Sequence, residues 1–140
     1  MADLDLATFF LALLAGAIRA YHAAEANPAL YAPGTDGSFG GGDYQDDDVS
    51  DEFYWAAVEL YLSTGDKAWL DRAQASPHWD GPVFKATGFH WPSVAALGRL
   101  QLASVPSNLP WRELKVVQSS VRDAAEVYLR DQRKEAFGFM

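Results

Sequence analysis

Residues 46–70 read "DDDVSDEFYWAAVELYLSTGDKAWL". Three aspartates lead into Ser50, then Asp51 and Glu52, and at once into an aromatic stretch with helical spacing. Phe53, Ala56, Ala57, Leu60 and Tyr61 recur at three- and four-residue steps, which predicts one apolar helix face. Ser50 is a natural N-cap. Asp51 and Glu52 fall in the first turn, where the helix dipole favours anions. Thr64-Gly65-Asp66 stops this helix with a left-handed glycine and caps a second, short one from Lys67 to about Ala75, with Trp69 and Leu70 facing inward.

The same reading extends in both directions. Upstream, Phe9, Phe10, Leu13, Leu14, Ala17, Ile18 and Tyr21 mark a helix from about Asp5 to Glu25, ended by Asn27-Pro28. Its apolar run from 7 to 18 lacks the basic flank of a signal peptide and is too short to cross a bilayer, so it is expected to be a buried helix. The segment 31–45, rich in glycine, reads as a loop. Downstream, a Pro/Gly/His loop (76–90) precedes a helix expected over Pro92–Ser104, with Val94, Leu97, Gly98 and Leu100 inward. "VPSNLPW" (105–111) is a second stop-start signal, capped by Ser107 or Asn108. The last helix runs to about Arg133, using Leu114, Val117, Val121, Ala124, Ala125, Tyr128 and Leu129. Strand alternation is not seen. The expectation is one all-α domain over 1–140, built of helical hairpins.

Composition narrows the function. The 140 residues carry a net charge of −8 and 49% hydrophobic residues, which suits a packed core. The acidic balance argues against nucleic acid or an anionic membrane surface as a partner. No cysteine is present, which removes disulfides, thiolate metal sites and cysteine nucleophiles. No G-x-S-x-G, H-E-x-x-H or Walker loop occurs. His22, His78 and His90 lack ligand spacing and read as structural.

The acidic run is not an EF-hand: counted from Asp46, position six is Asp51 where glycine belongs, and position twelve is Ala57 where glutamate belongs. Its hard oxygen donors suit another kind of calcium site, and the plainer reading is a solvated, dipole-stabilised helix start. Two carboxylates could also serve glycoside hydrolysis, but nothing in the sequence fixes that geometry. Aromatic faces stack on sugar rings, yet most helical tryptophans are core. Trp79 and Trp91, at loop or helix-start positions, are the better binding candidates, with His90 beside them. Trp69 and Trp111 are expected to pack.

The string D-V-S-D-E-F-Y-W-A-A with S-T-G-D-K resembles the middle of the catalytic domain of glycoside hydrolase family 9, the cellulase and endoglucanase family. "AAEANPALYAPG" (23–34), "WPSVAALGRLQLASVPSNLP" (91–110) and "SSVRDAAEVYLRDQ" (119–132) extend the resemblance over essentially the whole chain. The resemblance implies a fold of helical hairpins around an (α/α)6 toroid, of which five helices form a partial arc. It implies β-glucan or cellulose as partner, for which Trp79, His90 and Trp91 are the candidate substrate-binding residues. It also implies a structural Ca²⁺ held by Asp51 and Glu52 with Asp47 or Asp48, although Pro92 stands where an added aspartate often follows the tryptophan. The family's D-A-G-D-H base motif and N-E acid motif have no counterpart here: Asn27 and Asn108 precede Pro and Leu. The expectation is therefore a domain fragment without catalytic residues. Alternatives are a non-catalytic helical association module, and a hydrolase working through Asp48 or Asp51. The open ends of the arc predict a homodimer.

Overall fold

The computed structural model describes residues 5–31, 46, 48–85, 88 and 90–135. Five helices make up its regular structure: α1 (Leu6–Glu25), α2 (Ser50–Thr64), α3 (Lys67–Ala75), α4 (Ala95–Ser104) and α5 (Trp111–Gln132). The expected loop 31–45 falls, beyond Tyr31, outside the described residues.

Helix α2 is the hub. It packs against α1, α3 and α4, while α5 packs on α4. Tyr54, Val58 and Leu102 are the largest fully buried side chains, and Ala57, Leu60, Tyr61, Trp69, Leu70 and Ala73 complete the centre. Small residues let the helices approach. A Cβ placed on Gly98 of α4 would lie 3.0 Å from Tyr54 Cε1 and 3.4 Å from Trp55 Cα. The α2–α3 hairpin forms as its sequence predicts. Gly65 takes φ 68 and returns its N–H to Tyr61, and the Asp66 side chain accepts from Ala68 N at 2.9 Å.

Several expectations are corrected. Helix α1 is not buried: only Tyr21 is, with Leu14 and Ile18 packed partly against the core, while Leu6, Phe9, Phe10, Leu11 and Leu13 are exposed. Its C-terminal half anchors it. Tyr21 meets Trp69 edge-on at 5.0 Å and Phe53 at 5.5 Å, and Arg72 Nε donates to Glu25 Oε1 at 3.1 Å. The bounds of the helix agree with the expected Asp5–Glu25, but the reading that it is too short to cross a bilayer took in the 7–18 stretch alone. Its 20 residues are, by length and composition alone, apolar enough to cross a membrane, because alanines carry it on to Glu25.

Ser50 is the first residue of α2, with Val49 at the cap position. Helix α4 begins at Ala95, three residues after Pro92, because His90 and Ser93 close a tight turn through paired backbone hydrogen bonds of 3.2 and 2.7 Å. Helix α5 begins after Pro110, whose ψ of 137 is extended; Leu109 is buried just before it, and neither Ser107 nor Asn108 occupies the cap. Trp111 is 69% exposed and does not pack in the core, and of the α5 face only Val117 is buried.

Candidate functional site

Three segments meet at one end of α2: the acidic residues leading into it, the turn after α3, and the turn before α4. Each is held by local chemistry. Asp46 Oδ1 accepts from Asp48 N at 3.1 Å, and Asp48 Oδ1 accepts from Ser50 N at 2.9 Å. These bonds favour the charged carboxylate, so Ser50 holds the Asp48 pKa below the ordinary value. Ser50 Oγ lies 2.8 Å from His78 Nε2, which ties the α2 start to the 76–81 turn. That turn needs its glycine: a Cβ on Gly81 would sit 2.5 Å from the Pro77 carbonyl oxygen.

Arg99, buried within α4, fixes the same turn. Its Nη2 donates to the carbonyls of His78, at 2.7 Å, and Trp79, and its Nη1 donates to Ser120 Oγ at 3.0 Å. A buried guanidinium is costly unless its donors are used, and here several are. The sequence signal was a lone arginine inside the apolar run "AALGRLQLA".

Asp51 is buried and reaches across the chain. Its Oδ2 accepts from Val94 N at 2.6 Å, capping α4 from 43 positions away. Through this bond the His90–Trp91 turn is fastened beside the acidic helix start. Trp91 is 50% exposed, and its ring stands edge-on to His90 at 6.3 Å. Trp79 belongs to a different constellation. It is half-buried and lines a small pocket of about 220 Å³ with Asp80, Arg99, Arg112 and Glu113.

Glu52 is the unusual group. Its Oε2 is buried and has no hydrogen-bond partner among the described residues. Burial, then a hydrogen bond with Asp51 and the charges of Asp51 and Asp46, push its pKa up to about 7. Asp51 and Glu52 can share a proton or donate oxygens to a hard cation, and the orphaned oxygen fits a cation. Asp47, the upstream candidate, lies outside the described residues. Among the described residues no three acidic or histidine side chains already converge as a metal shell. The pair is poorly placed for hydrolysis, since Asp51 is engaged by Val94 and adjoins Glu52 rather than facing it across a substrate.

Comparison with known proteins bears on this end of the bundle as part of the whole chain. A family model described as glycosyl hydrolase family 9 matches residues 7–139. Endoglucanase C of Cellulomonas fimi is 53% identical over 126 residues, covering 90% of this chain and 11% of that protein. A cellulose 1,4-beta-cellobiosidase of Acetivibrio thermocellus is 34% identical over 146 residues, covering 93% of this chain and 16% of that protein. A solved structure described as Bacteroides ovatus GH9 superposes with a TM-score of 0.67 at 23% identity, covering 85% of this chain and 22% of that one. The last likeness is one of fold. The chain spans less than a fifth of the length of the two sequence relatives.

Proposed function

The chain belongs to glycosyl hydrolase family 9, and from that premise we propose that it supplies a β-1,4-glucan-binding portion of a cellulase catalytic domain without carrying a complete acid–base pair. The hydrogen bond from Val94 N to Asp51 carries this reading, because it holds an exposed aromatic turn against an acidic helix start. Trp91 offers a half-exposed ring for a sugar face, and His90 a hydrogen-bonding edge beside it. Trp79 lies apart from this turn, in the small pocket beside Arg99, which fixes its carbonyl. Asp51 and Glu52, with Asp48 and Asp47 upstream, would hold a structural Ca²⁺. Its charge would neutralise the pair and occupy the orphaned Glu52 oxygen.

Affinity electrophoresis through a soluble cellulose derivative tests the binding. The chain is expected to be retarded, and Trp91→Ala to run freely. Reducing-sugar release is expected to stay at background, because this chemistry needs two carboxylates placed across the scissile bond. Unretarded wild-type mobility overturns the binding claim. Turnover abolished by Asp48→Asn or Asp51→Asn overturns the non-catalytic one. A second reading, a helical association module, draws on the exposed apolar residues of α1.

A further inference from the structure

A groove of about 1230 Å³ runs between α1 and α2, its walls including Phe10, Leu13, Leu14 and Ala17. Among the described residues, the charged ones lining it are Glu52 and Glu59, with no Lys, Arg or His. Beside it α1 exposes Leu6, Phe9, Phe10, Leu11 and Leu13, at 43% to 67%. Exposed apolar surface gathered in this way marks an interface.

The complementary surface is on the same chain. Trp111, Lys115, Arg122 and Leu129 follow one another on α5 at steps of four, seven and seven, which places them on one helix face, and all four are exposed. Trp111 and Leu129 are 69% and 45% exposed, and Lys115 Nζ lies 5.8 Å from the Trp111 ring centre. The charge is divided accordingly. Residues 1–110 hold five basic and fourteen acidic residues, and residues 111–140 hold six basic and five acidic. The spacings match as well. Glu52 and Glu59 are seven residues apart on α2, as Lys115 and Arg122 are on α5, about 10.5 Å in each case. The two helices are of similar length, α1 with 20 residues and α5 with 22.

We propose that α5 of a second copy docks in the α1–α2 groove. Trp111 and Leu129 enter its apolar length, and in the calcium-free chain Lys115 and Arg122 face Glu52 and Glu59. Within one chain α1 packs on α2 and α5 packs on α4, so the two surfaces are at separate places and do not satisfy each other. The contact joins unlike surfaces. Two copies related by a two-fold axis make it twice and close.

Sedimentation velocity on the full chain at micromolar concentration tests this. The wild type is expected to associate, and to do so less in high salt. Leu13→Glu, in the groove, and Trp111→Glu, on α5, are each expected to weaken association by about tenfold or more. An equimolar mixture of the two variants is expected to regain association, since one keeps the groove and the other keeps the intact α5. Both positions are exposed, and circular dichroism checks that the helices persist. The double variant Lys115→Glu/Arg122→Glu, also at the surface, is expected to weaken association like the other two. A monomeric wild type overturns the proposal. So does a Trp111→Glu variant that associates like the wild type, which would give the groove to α1 of another copy, and so does a mixture that stays monomeric.

Discussion

Replacing Glu52 by Gln removes a charge that the fold holds at a disadvantage. The buried Oε2 and the neighbouring Asp51 raise the Glu52 pKa from the ordinary 4.5 to about 7. The native state therefore binds this proton more tightly than the unfolded chain. The resulting stabilisation is complete below the unfolded pKa and is lost as pH rises through about 7. At about 1.36 kcal/mol per unit the full shift corresponds to roughly 3 kcal/mol. Glu52 keeps part of its surface in water, and screening reduces the effect to about 1–2 kcal/mol. For a domain of this size that is about 3–6 °C in Tm. Thermal melts of wild type and Glu52→Gln, run in chelator at pH 5 and pH 8, measure it. The wild type should fall relative to the variant between the two pH values, and the variant should be the more stable at pH 8. Every group common to both proteins cancels in the difference. Parallel pH dependences would refute the argument.

Three further predictions follow from the packing. Millimolar Ca²⁺ at neutral pH should raise the wild-type Tm, by about 2.7 kcal/mol of stabilisation at a hundredfold excess over Kd, and should leave Glu52→Gln unmoved; a calcium-insensitive wild type removes the cation from the site. Arg99→Met should cost about 2–4 kcal/mol in urea unfolding, since it strands the carbonyls of His78 and Trp79 in a part-buried setting; a cost below about 0.5 kcal/mol would mean that water replaces the guanidinium. Gly98→Ala should lose stability by about 1 kcal/mol despite alanine's better helix propensity, because the added Cβ meets Tyr54 at 3.0 Å and the Trp55 backbone at 3.4 Å; a stabilised variant would show that α2 and α4 can separate freely.

The candidate site was legible in part. The acidic run could be recognised as a cluster beside a helix start, and Trp91 as an aromatic at a loop or helix start, where the structure leaves it half exposed. The partners were not legible. Asp51 looks like an ordinary first-turn acid in the sequence, and its real partner is the Val94 N–H, 43 residues on. His78 lacked any ligand spacing, and its role comes from Ser50, 28 residues away in sequence. Arg99 was not singled out in the sequence at all, and the carbonyls it binds belong to a turn some twenty residues upstream.

The sequence by itself determined what local chemistry decides. The α2–α3 hairpin forms where Ser-Thr-Gly-Asp-Lys demands it, because a left-handed glycine and an aspartate cap act within a few residues. The five helices and the all-α class follow from apolar periodicity in the same way. Only the tertiary structure decided where α4 begins, since a tight turn and a remote carboxylate hold Pro92 outside the helix. It also decided which apolar faces are covered. Periodicity marks the face of α1 and of α5 that wants a partner, but it does not say whether one is there. In this fold α2 is surrounded, while the N-terminal half of α1 and the Trp111–Leu129 face of α5 stay open to solvent.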